Sequence, residues 1–407
     1  MEVLHKFCCG LDVHKKTVVA CCITPEGKET RSFGTMTDDI EKMLGWIKEK
    51  GCNIVAMEST GVFWKPIYNL LELENIQTLI VNAKHIKTVP GRKTDVKDAE
   101  WIAQLLRHGL IKGSYIPDRE QREIRELVRY RNALVQERAR EANRIQKVLE
   151  GANIKLASVV SDILGASSRA MIEGLIDGIG DPSLLAAKAQ GTLKHKREQL
   201  EKGLKGVLGD RQRMLLRSQL DHVEFLSTKI QEISRQIEEC MRPFDQALDL
   251  LDTIPGIGRQ TAEKIIVEIG VDMTRFPSAA HLASWAGLSP GNNESAGKRL
   301  SGTTRKGNNA LRTALVEAAT TASRNKSSYL AARYHRIAAR RGKKRAAVAV
   351  AHSILIAIYH MIKNNVPYQD LGVDHFERNR EKRIVTRAVK NMEALGYEVN
   401  LIKKNIA

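Results

Sequence analysis

Residues 7–24, FCCGLDVHKKTVVACCIT, decide how this chain is read. Cys, Val, Ile and Thr suit extended backbone, so the run predicts two short strands around a turn at 14–16. One residue breaks the apolar pattern. Asp12 stands between Leu11 and Val13, and an acid inside an apolar strand costs free energy unless it is paired or liganded. Working outward, residues 53–58, NIVAME, give another apolar run that ends on Glu58. Ser59-Thr60-Gly61 then leads into a helix over about 62–74, and residues 77–82, QTLIVN, give a further strand. Thr94 is placed to cap a helix over 95–108 that Gly109 closes. Strands alternating with helices predict an α/β domain over residues 1–115.

The next segment is helical and highly charged. One long helix is expected from 120 to 151 and another from 211 to 243, with smaller helices at 168–177 and 182–189. In the second long helix Leu216, Leu220, Val223, Leu226, Ile230, Ile233 and Ile237 advance by alternating threes and fours. That near-heptad seam fits an antiparallel helical hairpin or a dimeric coiled coil. The first helix offers a weaker seam, interrupted by Arg131 and Arg138. The expected organisation is an α/β domain (1–115), a helical coiled-coil region (116–245), a mainly α C-terminal domain (246–370) and a charged helical tail (371–407). Residues 250–362 read as compact helices joined by Gly- and Asn-rich turns, and 376–395 as one more charged helix.

The 407 residues carry 65 Lys and Arg against 47 Asp and Glu, a formal charge of +18. A hydrophobic share of 43% excludes a wholly disordered chain. The basic excess points to a polyanionic partner, nucleic acid first and an acidic membrane surface second. Aromatics are only 5%, so phosphate-backbone contacts are expected to outweigh base stacking. No secretory signal is read at the N-terminus. The six cysteines form no CxxC pair, which argues against a zinc ribbon or a disulfide framework. The apolar run 346–362 is interrupted by His352, Ser353 and His360 and falls short of the ~20 residues that span a bilayer, so it predicts a buried helix and no membrane partner.

Four acids form the first chemical constellation: Asp12 and Glu58 at strand ends, and Asp95 and Asp98 three apart on one helix face in KTDVKDAE. Hard oxygen ligands of this kind bind Mg²⁺ together with substrate phosphates, and such ions assist phosphoryl transfer.

These residues carry a resemblance. GLDVHKKTVVAC, MESTGVFWKPIYNLL and VNAKHIKTVPGRKTDVKDAEWIAQLL resemble the N-terminal domain of the DEDD insertion-sequence transposases, the IS-one-ten family of RNA-guided recombinases. The likeness continues at LLDTIPGIGRQTAEKIIVEIG and at WAGLSPGNNESAGKRLSGTTRKGNNALRTALVEAA, about 220 residues in all. It implies an RNase H-like (RuvC-like) N-terminal fold similar to Holliday-junction resolvases, with the DEDD acids on Asp12, Glu58, Asp95 and Asp98. It also implies a nucleophilic serine, matched by Ser295, with Ser301 second. Ala296 stands where many members of that family have Gly.

The chemistry around Ser295 is readable by itself. A serine that attacks a phosphodiester needs its developing charge stabilised. Lys298, Arg299, Arg305, Lys306 and Arg312 are near in sequence and offer that. Residues 298–346 hold fourteen Lys and Arg and one acid, Glu317, a one-signed run that favours a phosphate backbone. Residues 250–270 resemble a DNA-binding helix-hairpin-helix, with Gly256 and Gly258 turning amides towards a phosphate.

The resemblance implies an RNA-guided DNA recombinase that forms a 5′-phosphoserine link. Its partners are donor and target double-stranded DNA and a noncoding bridge RNA, for which Lys15, Lys16, Lys84, Lys87, Arg92, Lys93 and Lys97 are available. A homodimer or tetramer sharing its active site between protomers, in the bacterial cytoplasm at the nucleoid, is expected. The alternative is a metal-dependent Holliday-junction-type endonuclease in which water attacks and no covalent intermediate forms. A non-enzymatic architectural binder is disfavoured, because the acid quartet would only repel nucleic acid without a metal.

Overall fold

The computed structural model describes residues 2–59, 61–82, 95–291, 293–295, 298–301, 303–304 and 306–401. Two compact units divide the chain, residues 1–119 and 120–407.

The first unit runs β1 (Cys8–Val13), β2 (Thr17–Thr24), β3 (Gly27–Gly34), α1 (Thr37–Glu49), β4 (Ile54–Glu58), α2 (Trp64–Leu73), β5 (Gln77–Val81) and α3 (Asp95–Arg107). Its five strands form one mixed sheet in the order β3-β2-β1-β4-β5. β3, β2 and β1 are antiparallel, whereas β1, β4 and β5 are parallel. This mixed sheet is consistent with the expected RNase H-like fold.

Central β1 is apolar on both sides because both faces of the sheet are covered. Cys9, Leu11, Val13, Val55, Met57 and Ile80 face a core completed by Ile40, Met43, Leu44 and Ile47 of α1 and Ile67 and Leu71 of α2. Cys8, Cys21, Ile54, Ala56 and Val81 face the other way, onto Ala99, Ile102, Ala103, Leu105 and Leu106 of α3. Two elements, β3 and α1, come in addition to those predicted from sequence. The five cysteines near the sheet are buried and free, and Cys240 is half-buried and free.

The second unit opens with α4 (Arg119–Gly151). Short helices follow at Leu156–Val159, Ala166–Ile176, Pro182–Ala186 and Arg197–Gly203, then α5 (Asp210–Met241). The seam of α5 is covered within the chain. Leu216, Leu220 and Val223 pack with Ile145, Leu149 and the short helices, and Leu226 and Ile230 pack with Leu134. These positions pack within the chain as an antiparallel helical pairing would place them.

The breaks in the α4 seam also have a cause. Arg131 is buried and pairs with Glu263 at 2.7 Å, and Arg138 donates to the Ser227 hydroxyl at 3.4 Å.

The remaining elements are α6 (Asp245–Asp252), α7 (Arg259–Ile269), α8 (Ala279–Trp285), β6 (Asn293–Ser295), β7 (Lys298–Ser301), α9 (Asn309–Ala322), α10 (Tyr329–Arg341), α11 (Lys343–Asn364) and α12 (His375–Ala394). α11 has 22 residues and is long and apolar enough to cross a membrane by length and composition alone. That corrects the expectation that it falls short of a span. Its placement settles the matter better than its length: Val350, Ala351, Ile354, Leu355 and Ile358 are fully buried, and α11 packs against α8, α9 and α10 as the central helix of this unit. The expected mainly helical character of 250–362 is seen, with one short antiparallel hairpin, β6–β7, among the turns.

Candidate functional site

Register and a glycine build the acid site. In the parallel pair β1–β4, Leu11 lies opposite Met57. The next residue on each strand is Asp12 and Glu58, so both carboxylates stand side by side at adjacent strand ends. Side chains alternate across a sheet. Leu11 and Met57 point into the α1–α2 core, so Asp12 and Glu58 belong to the face that α3 covers.

α3 comes down on that face at Gly10. A Cβ there would meet the Ala99 carbonyl oxygen at 2.3 Å and the Ala103 nitrogen at 2.4 Å. Only glycine admits this approach, and it brings in Asp98, the residue before Ala99.

Electrostatics register the result. Burial pushes the carboxyl of Asp12 above the usual carboxylate range, His14 opposes the shift, and the charges of Asp98 and Glu58 add to it. Asp12 is 16% exposed, and its Oδ2 lies 3.1 Å from His14 Nε2. His14 is set by the turn, its amide donating to the Thr17 carbonyl at 2.9 Å. Sequence reading gave His14 no role, although it stands two residues after the acid in the same turn.

Asp12 thus senses both Glu58 and Asp98. Asp95 occupies the first position of α3, three residues before Asp98, but its side chain lies outside the described residues. Among the described residues no group of three or more His, Cys, Asp or Glu forms a ready metal cage. The donor set nevertheless fits a hard divalent cation, because crowded carboxylates repel one another until a cation is shared between them. Lys15 and Lys16 are exposed beside the site. Lys84, Lys87, Arg92, Lys93 and Thr94 lie outside the described residues, as does the Lys97 side chain.

In the second unit Ser295 is the last residue of β6 and pairs with Lys298 at the tip of the hairpin. Arg299 pairs with Glu294, and Asn293 with Ser301, with an irregularity between Asn293 and Glu294. The backbones of these residues are described and their side chains are not; Arg305 and Ala296 lie outside the described residues altogether. Lys306 is exposed.

Arg312 is committed to the hairpin's root. Its Nη1 donates to the Gly287 carbonyl at 3.0 Å and to the Thr304 hydroxyl at 2.8 Å, and Thr304 bridges to Pro290.

Behind the hairpin is a buried polar junction that sequence reading missed. Glu268, 1% exposed, accepts two bonds from Arg129, at 2.7 and 2.9 Å, and one from Asn308 at 2.6 Å. Asn308 in turn caps α9 through the Leu311 amide at 3.1 Å. Gln121 and Arg125 of α4 satisfy the last carbonyls of α7. One buried carboxylate therefore fixes α4, α7 and α9 together; its sequence signal was only a charge in the apolar run KIIVEIG.

Gly256 has a positive φ of +90°, and a Cβ on it would meet the Ala318 carbonyl oxygen at 2.5 Å. Its need for glycine thus comes from close packing on α9. Gly258 is the extended N-cap residue of α7.

An acid-bearing mixed sheet is thus followed by a basic, mainly helical unit. The comparisons give the family. A model of the DEDD-type IS110 domain, described as a transposase, matches residues 9–154, and one described as "Transposase IS116/IS110/IS902 family" matches residues 248–335. The chain carries both domains in order and belongs to this insertion-sequence transposase family. Among its relatives, the transposase for insertion sequence element IS1111A of Coxiella burnetii is 25% identical over 367 residues, 88% of this chain and 90% of that protein. The pilin gene-inverting protein of Moraxella bovis is 31% identical over 154 residues, 36% of this chain and 48% of that protein. An IS110-encoded 43.6 kDa protein of Streptomyces coelicolor is 30% identical over 248 residues, 56% of this chain and 60% of that protein.

Proposed function

We propose that the chain is the transposase of an insertion sequence, a recombinase that cuts and rejoins double-stranded DNA under the direction of a noncoding guide RNA encoded by its element. The observation that supports this most is geometric: Asp12 and Glu58 end adjacent parallel strands on the face where α3, carrying Asp98, packs onto Gly10, in a chain that carries both family domains.

In this reading Asp12, Glu58, Asp95 and Asp98 would hold Mg²⁺, which would supply positive charge to offset that of a phosphodiester. His14 keeps Asp12 oriented. The Ser295 hydroxyl attacks phosphorus: the Oγ–P bond forms, the P–O3′ bond breaks, and a 3′-hydroxyl leaves with a 5′-phosphoserine behind. Lys298, Arg299, Arg305 and Lys306 offset the charge that develops on the phosphate. Arg312 positions the hairpin, and the amides near Gly256 and Gly258 meet backbone phosphates of the DNA. The lysines of the first unit hold the guide RNA by shape and backbone. The site is shared between protomers of a dimer or tetramer working at the bacterial nucleoid.

Cleavage of labelled DNA with guide RNA and Mg²⁺ tests the acid site. Asp12→Asn, Glu58→Gln and Asp98→Asn are each expected to lose about 100-fold or more. Wild-type rates in all three variants would overturn the reading.

A further inference from the structure

The tail helix, to which the family domains assign nothing, builds a second basic site with α10. A cleft of about 490 Å³ lies between them. Arg333 and Arg336 line it from α10, three residues apart, and Arg380, Arg383 and Arg387 line it from α12 at spacings of three and four. Residues so spaced share one helix face, so two arginine rows face one space. Among the described residues no carboxylate lines the cleft.

Among the described residues none of the five guanidinium groups has an ion-pair partner. Nearby Arg378, off the cleft, is already paired with Asp374 at 3.0 Å. The Arg333 Nε is buried without a hydrogen-bond partner. Five uncompensated charges in one cleft repel one another, a cost that an anionic occupant removes.

The aromatic residues narrow the choice of anion. Tyr329 stacks on Phe376 with centroids 5.2 Å apart and planes 19° from parallel, and the Arg336 guanidinium lies 4.9 Å from the centre of the Phe376 ring. This is a column of planar groups that an unpaired base can extend. Bases inside a duplex cannot reach such a column, whereas single strands are held by stacking and cationic grooves together.

We propose that the α10–α12 cleft binds a single-stranded stretch of polynucleotide, with its phosphates between the two arginine rows and a base against the Tyr329–Phe376–Arg336 column. The site binds without cutting, so its test is independent of the acid quartet and of Ser295.

The measurement is fluorescence anisotropy of full-length protein with a 12-nucleotide oligouridylate, the matching oligothymidylate, and a 12-base-pair duplex, over a salt series. The triple variant Arg380→Ala/Arg383→Ala/Arg387→Ala is expected to bind single strands about ten-fold more weakly or worse. Its plot of log affinity against log salt should flatten by about two, since each lost phosphate contact removes ~0.7 from the slope. Phe376→Ala is expected to weaken single-strand binding about ten-fold while leaving the duplex unchanged. Arg378→Ala, with its guanidinium paired elsewhere, should bind as wild type. Whichever of the two single strands binds more tightly to wild type and loses more in the variants identifies the occupant. Single-strand binding unchanged in the triple variant, with its circular dichroism intact, would overturn the proposal, as would a loss confined to the duplex.

Discussion

A Cβ on Gly10 would stand 2.3 Å from the carbonyl oxygen of Ala99. That closeness ties the central strand to the helix that carries Asp95 and Asp98, and so ties the acid site to the packing of the sheet. A methyl group at residue 10 must push α3 away. Gly10→Ala is therefore expected to lower stability by about 1–3 kcal/mol, read as a lower urea midpoint, and to reduce DNA cleavage by moving Asp98 away from Asp12. A variant that unfolds at the wild-type midpoint would show that α3 does not rest on Gly10.

Asp12 gives a pH dependence with a definite sign. Burial raises its folded-state value above the ordinary carboxylate range. The folded protein then holds that proton more tightly than the unfolded chain, so this group's contribution to stability falls as pH rises through the unfolded and then the folded value. Asp12→Asn removes the effect. It is expected to raise the thermal midpoint at pH 7 in the absence of divalent cations, with the gain vanishing below about pH 4. A lower midpoint at pH 7 would mean that Asp12 is stabilised by its neighbours rather than crowded by them.

The buried pair Arg131–Glu263 behaves asymmetrically. Arg131 is 4% exposed and Glu263 6%, while Arg259 approaches the other oxygen of Glu263 at 3.5 Å. Removing Arg131 leaves Glu263 with Arg259, but removing Glu263 leaves Arg131 buried and alone. Glu263→Ala is expected to cost about 3–5 kcal/mol and Arg131→Ala less, with Arg131→Leu/Glu263→Leu recovering much of the loss. Denaturant melts of the three variants decide the order.

The cysteines give a simple check on the first unit. Burial pushes the Cys8 thiol up to about 12, and Cys9, Cys21, Cys22 and Cys52 are as deeply enclosed. A maleimide reagent is expected to label Cys240 alone in the native protein and all six thiols in denaturant. Rapid native labelling of any strand cysteine, read by peptide mass, would contradict the sheet order.

Much of this was legible in the sequence, for physical reasons that differ by residue. β1 and β4 are enclosed on both faces, so FCCGLDV and NIVAME show continuous apolar runs. β3, GKETRSFG, is an edge strand with mostly exposed side chains and carries no alternation to read. α1 does carry a helical signal in Ile40, Met43, Leu44 and Ile47. The Ser295 hairpin is short, polar and held from outside by Arg312, which no local pattern announces. Gly256 reads as a phosphate-facing turn, and the close approach of α9 adds a second demand for glycine there that the sequence does not show. The acids are proposed from type and spacing, whereas the placing of Asp12 and Glu58 beside the helix of Asp98 depends on strand register and on Gly10, which sequence order alone does not reveal.

The central claim is that Ser295 is the nucleophile of a metal-assisted strand exchange. Its most direct test is to incubate full-length protein with guide RNA, Mg²⁺ and end-labelled DNA, then to quench in detergent and look for a protein–DNA adduct by gel and by mass of the Ser295 peptide. The account predicts a Mg²⁺-dependent adduct on Ser295 that is absent in Ser295→Ala. DNA cleavage by Ser295→Ala, with no adduct in the wild type, would contradict it and point to attack by water.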